Sequence, residues 1–187
     1  MTKYLILILL SLLLSSCSRE SYFMFQTQNP KNLRFEKISH YVAVNEIEVP
    51  NYLKQDHLSI IKENKVSFLP DKWAESIDTA LQKELVSYLL KTLPSYGVLE
   101  YPWQKSKKAE AEIKIHINDF IYKNGKIVLS GYYFIKKDNE EYKKVFNFSE
   151  ISSPSPQQIV ENMKKLYKRL EKEIVKNLKV LTAKRED

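Results

Sequence analysis

Residues 111–149 carry the pattern that most restricts what this chain can fold into. Ile113, Ile115 and Ile117 alternate with Glu112, Lys114, His116 and Asn118, the period-2 pattern of a strand with one wet face. Asn124-Gly125 follows, a dipeptide suited to the positive φ angles of a two-residue hairpin turn. The return segment, Ile127 to Ile135, is apolar on both faces and is expected to lie inside the sheet. Lys136 to Glu141 forms a second turn before a further strand, Tyr142 to Ser149. A sheet of this kind must cover one face, so the chain also needs helices with an apolar stripe.

Two such stripes are present. Trp73, Ile77, Leu81, Leu85 and Leu89 recur every four residues, which predicts a helix introduced by Pro70-Asp71-Lys72-Trp73 with Asp71 as its N-cap. Pro94, with Gly97 close behind, ends it. After Pro154 and Pro156, a second stripe runs through Ile159, Met163, Leu166, Leu170, Ile174, Leu178 and Leu181 on a Lys/Glu-rich background. That is one apolar face on a long amphipathic helix.

Shorter strands are expected upstream. Tyr22 to Thr27 is strand-like and is closed by the turn Asn29-Pro30-Lys31-Asn32. His40 to Pro50 reads as a strand whose phase changes at Asn45-Glu46, the mark of a bulge or irregular pairing. Asn51-Tyr52-Leu53 is a loop, and Leu58 to Ile61 and Val66 to Phe68 form a short hairpin over the polar turn Lys62 to Asn64. The fold class is therefore α+β: a single domain with an antiparallel or mixed sheet and two long amphipathic helices packed on it. Its expected extent is residues 22–181, with residues 182–187 a frayed tail.

The only cysteine, Cys17, closes the segment Leu14-Ser15-Ser16-Cys17, preceded by Lys3 and an apolar run from Tyr4 to Leu14. One positive charge, a short apolar run and small residues form an export signal, too short to span a bilayer as a helix. The segment resembles a lipobox, which makes residues 1–16 a signal peptide and Cys17 the acylated mature N-terminus. By analogy with lipoprotein sorting, Ser18 rather than Asp after the cysteine favours the outer membrane. Residues 18–21 form the whole tether, about 14 Å when extended, so the domain must sit close to its membrane. With no second cysteine there is no disulfide and no cysteine-based metal site.

A net charge of +7 rests on 26 lysines against 4 arginines. Base readout and bidentate phosphate recognition prefer arginine, and an exported chain does not meet the chromosome, so nucleic acid is excluded as a partner. An anionic lipid surface suits the charge better. Three glycines in the whole chain leave no room for a phosphate-binding loop. His40, His57 and His116 lack ligand spacing, there is no Gly-x-Ser-x-Gly elbow, and the paired carboxylates Glu140-Glu141 and Glu171/Glu173 read as solvated charge. No enzyme, cofactor or metal is expected.

Two segments with large apolar groups in loops stand out: Ile47-Glu48-Val49-Pro50-Asn51-Tyr52-Leu53-Lys54-Gln55 and Trp73-Ala74-Glu75-Ser76-Ile77. Their order, with Phe120, Val128-Leu129-Ser130-Gly131-Tyr132-Tyr133 and the final helix, resembles the PqiC-type ABC-transport auxiliary lipoproteins (paraquat-inducible, DUF330 group). Lys54-Gln55 stands where that pattern has Asp-Arg, and Ser76 where it has Pro. The resemblance covers about residues 20–180. It implies a non-enzymatic, membrane-anchored periplasmic accessory of a lipid-transport system, acting as a docking or structural subunit. The partners it implies are an MCE-domain protein with its ABC permease and ATPase, and a homo-oligomer is compatible with it. Tyr52, Leu53 and Trp73 are then the candidates for partner contact or for shaping the fold beside it. Two other readings stay open on the residues: a lipoprotein holding an apolar ligand between sheet and helix, and an outer-membrane assembly lipoprotein.

Overall fold

The computed structural model describes residues 22–25, 37–38, 40–103, 108–138 and 140–183. The longest strand, β6 (Ala111–Lys123), organises the sheet. Along one edge it pairs in antiparallel register with β7 (Lys126–Lys137), which pairs in turn with β8 (Glu140–Ile151). These are the three strands expected from the alternation, and the β6–β7 turn has positive φ at Asn124 and Gly125 (50° and 77°).

At 13 residues, β6 is long enough to hold two shorter strands end to end on its other edge. Its start takes β2 (His40–Val44) in parallel, with β5 (Tyr96–Glu100) parallel on the far side of β2. Its end takes β3 (His57–Lys62) in parallel, through Ile60↔Tyr122 and Ile61↔Lys123. On β3 lies β4 (Lys65–Trp73), antiparallel, and on β4 the two-residue strand β1 (Tyr22–Phe23), parallel. The sheet is mixed, with eight strands.

Between β2 and β3 the chain keeps following β6: Asn45 N–H donates to Ile113 O (2.9 Å), and Glu48 exchanges bonds with Ile115 O (3.0 Å) and Ile117 N–H (2.9 Å). The phase change at Asn45-Glu46 is the irregular step between these contacts. A second irregularity, between Ile117 and Asp119 of β6, moves Phe120 onto the face already used by Ile113, Ile115 and Ile117.

Helices α1 (Ile77–Thr92) and α2 (Pro156–Ala183) cover that face. Ile77, Leu81, Leu85 and Leu89 of α1, and Ile159 through Leu178 of the α2 stripe, are buried with Leu129, Tyr133, Ile135, Phe146 and Phe148 of the sheet in one core. Leu181 is partly buried against it. Thr182 and Ala183, expected to fray, are helical, and residues 184–187 lie outside the described ones.

Three expectations are corrected. Pro70 to Trp73 is the end of β4, not a helix entry, and Asp71 is no N-cap; the helix starts at Ile77 behind Ser76. The backbone of this stretch is satisfied by distant partners, with Trp73 N–H on Asp56 O (2.6 Å) and Ala74 N–H on Phe23 O (2.9 Å). Such bonds outcompete the local helix signal. Residues 51–54 form a 3-10 turn rather than a loop, closed by Leu53 N–H on Pro50 O (2.9 Å). Finally, Gly97, taken as a helix-end signal, lies inside β5. A Cβ there would stand 2.5 Å from the Tyr41 ring, so the glycine lets that ring lie across the strand.

Candidate functional site

The two signature segments meet at one corner of the domain. The 3-10 turn Asn51–Lys54 leads into β3, and the β3–β4 hairpin returns the chain to Trp73-Ala74-Glu75. There β1 joins, with Tyr22 opposite Lys72 and Phe23 opposite Trp73. The Ala74–Phe23 bond extends this clamp by one residue. Thus the first strand of the domain, which begins five residues after Cys17 in the sequence, is fastened to the Trp-Ala-Glu segment by backbone.

Phe25 is the hub beneath the clamp. Its ring lies 6.3 Å from Trp73, 6.0 Å from Phe120 and 5.7 Å from Tyr167, the last two edge-on, an arrangement aromatic quadrupoles favour. Tyr167 is fully buried on α2 and donates its hydroxyl to Leu81 O on α1 (2.9 Å), tying both helices to the hub. Tyr52 closes the other side, its hydroxyl accepting from Phe120 N–H (3.2 Å). Burial pushes the Tyr52 phenol up to about 12, so it stays neutral at any physiological pH.

Of the candidate contact residues, Leu53 (2% exposed) and Trp73 (6%) are buried and Tyr52 is half-buried. Trp73 packs on Phe25 and Tyr52 bonds Phe120, while Leu53 is buried in the same core. Of the two roles considered for them, burial supports shaping the fold beside a contact. What they present outward is the rim of the 3-10 turn, Asn51, Lys54 and Gln55, all exposed. The Trp73 Nε1–H has no hydrogen-bond partner among the described residues. Cys17 and the tether lie outside the described residues.

The sheet face away from the helices carries a second cluster. Glu48 reaches Lys114 (2.9 Å) and His116 (2.8 Å). His116 stacks on Tyr132 at 4.8 Å, and Lys143 stands 4.2 Å above that same ring. The hydrogen bond with His116, then that with Lys114, hold the Glu48 carboxyl below its usual range. Cross-strand charge and ring pairing of this kind stabilises an open sheet face.

The three histidines have three separate partners: His40 faces Glu110 (2.8 Å), His57 faces Leu69 O (3.0 Å) and His116 faces Glu48. No group of three or more metal-ligating side chains gathers among the described residues, and none of the described helices is long and apolar enough to cross a membrane. The volume between sheet and helices is taken up by Phe120, Tyr133, Tyr167 and the aliphatic stripe residues. An apolar ligand there would have to displace packed side chains.

Sequence reasoning missed Phe25 and Tyr167, and its reading of Glu171 as solvated charge is overturned, for that side chain is buried. Tyr167 and Glu171 sit four residues apart on α2, beside the stripe rather than in it. Glu171, 1% exposed, has its carboxyl pushed up to about 8 by burial and then by Glu84, against a smaller opposing effect of Lys168. A glutamate on a Lys/Glu-rich helix gives no local sign of burial.

A family model for ABC-type transport auxiliary lipoprotein components matches residues 23–175. Among curated proteins none matches significantly. Two solved structures share the fold. One, the crystal structure of an uncharacterized protein, is 16% identical with a TM-score of 0.70, covering 85% of this chain and 98% of its own. The other is a Xanthomonas campestris protein of the DUF330 family, 9% identical with a TM-score of 0.64, covering 83% and 92% respectively.

Proposed function

This chain belongs to the family of ABC-type transport auxiliary lipoprotein components, and from that premise we propose that it is a non-enzymatic docking subunit of a lipid-transport assembly. Acylated Cys17 holds it on the periplasmic face of the outer membrane. The corner docks an MCE-domain protein that is served by an ABC permease and ATPase. The observation that carries this reading is the clamp of β1 onto Trp73-Ala74. An anchor separated by only four residues from a strand built into the sheet transmits position to the whole domain, whereas a long tether would let it wander.

In this reading Tyr52, Leu53 and Trp73 hold the backbone that offers Asn51, Lys54 and Gln55 to the partner. These three residues lie just before β3, at the end away from its hairpin tip. The test is co-purification of the MCE-domain protein with the acylated full chain. Asn51→Ala combined with Lys54→Ala should reduce the recovered partner, and Lys136→Ala, on a distant hairpin, should not. Equal recovery with all of them would overturn the site, and no recovery with the unaltered chain would overturn the docking role.

A further inference from the structure

Two hairpin tips lie side by side at one end of the sheet. Because β3 runs parallel to the end of β6, with Ile61 opposite Lys123, the β3–β4 tip is brought next to the β6–β7 tip. Lys62 and Lys65 flank the first, and Lys123 and Lys126 the second. All four are exposed, and none is paired among the described residues. Glu63 is the acidic residue between them. At the opposite end of β6, β7 and β8 the balance shifts, with Glu110, Glu112, Glu140 and Glu141 beside Lys136 and Lys137.

The lysine end also carries apolar side chains in solvent. Ile151, opposite Lys126 in the register, is 89% exposed, and Val66, opposite Ile61, is 43% exposed. Basic side chains beside exposed Val and Ile are the make-up of a surface that lies in a bilayer interface.

The chain's own direction says which surface meets the membrane. Strand β1 is parallel to β4, so the backbone enters β1 from the side of the β3–β4 tip. Cys17 stands five residues before Tyr22, a reach of about 17 Å. That is enough to bring it level with Ser67, two residues from Lys65.

We propose that this end of the sheet is a bilayer-contact surface. Lys62, Lys65, Lys123 and Lys126 engage anionic phospholipid headgroups of the leaflet that holds the Cys17 acyl chains, and Val66 and Ile151 enter its interface. The proposal rests on the lipoprotein reading above and adds the orientation of the domain. It leaves the 3-10 turn facing away from the membrane.

The experiment uses the acylated full chain on vesicles of phosphatidylethanolamine and phosphatidylglycerol. Acylation blocks Cys17, so a cysteine introduced as Val66→Cys, Ile151→Cys or Lys136→Cys is the sole thiol for an environment-sensitive fluorophore. Probes at 66 and 151 should shift their emission to the blue and be quenched by lipid-borne quenchers; the probe at 136 should stay aqueous. Changing all four lysines to Gln should remove that difference without detaching the protein. Floating protein with aqueous probes at 66 and 151 overturns the surface alone. A difference untouched by the lysine changes overturns the headgroup contact. Protein that fails to float with the vesicles overturns the anchor and, with it, this proposal.

Discussion

The β6–β8 meander and the signature corner are built from the same kinds of residue but held by different means. In the meander, strands of 12 or 13 residues are bonded to their sequence neighbours over their whole length through tight turns. In the corner, β1, the 3-10 turn, the end of β4 and Phe120 come from four distant parts of the chain and meet around one ring, Phe25. The first arrangement is redundant, because each bond is supported by the next. The second depends on a few side chains, which makes it both the weaker region and the one able to couple the N-terminus to the domain.

Phe25→Ala breaks the comparison most severely. It should cost about 4 kcal/mol, as for a fully buried aromatic. Native-state hydrogen exchange should show the loss first at Tyr22 to Phe25 and Ala74, with amides of β7 still protected. Simultaneous exposure of both regions would mean that the corner is no separate unit.

Gly131→Ala attacks the meander instead. A Cβ at that position would stand 2.1 Å from the His116 backbone oxygen and 2.9 Å from the Phe146 ring. The β6–β7 ladder must open there, a loss of about 3 kcal/mol readable by chemical denaturation. Here protection should fall in β6 and β7 rather than in β1.

Glu171→Gln should stabilise. The Glu171 carboxyl is raised in the fold to about 8 from an ordinary 4.5, so its protonated form is the one the fold accepts. Its destabilising effect is absent below about pH 4.5 and grows until the pH passes about 8. The variant should gain on the order of 2 kcal/mol at neutral pH and should lose less stability than the parent between pH 5 and 8. Equal pH slopes would show that Glu171 is ionised at no cost.

Tyr52→Phe is the smallest change. Removing the acceptor for Phe120 N–H should cost about 1 kcal/mol, measured as a shift in the denaturation midpoint, with exchange at Phe120 increased more than at Leu129.

The same contrast explains what could be read from the residues. The alternation of Ile113 to Ile117, the Asn124-Gly125 turn and the α2 stripe are local signals, and each lies where it was expected. The corner is not local. Trp73 falls in phase with Ile77 and Leu81, so periodicity assigns it to a helix, yet its backbone is claimed by Asp56 and Ala74's by Phe23. Phe25 and Tyr167 matter through each other, and nothing within a few residues of either reveals it. The signature segments were recognisable as motifs, while the burial of Leu53 and Trp73 became visible only in three dimensions.

In the proposed function a short anchor, leading directly into a strand clamped to the sheet, is part of the activity and not merely an address. The most direct measurement is transport by the intact system in cells carrying Cys17→Ala, with circular dichroism and thermal melting of the variant alongside. The variant domain should fold and melt like the parent but no longer support transport. A folded, unanchored periplasmic variant with full transport activity would contradict it.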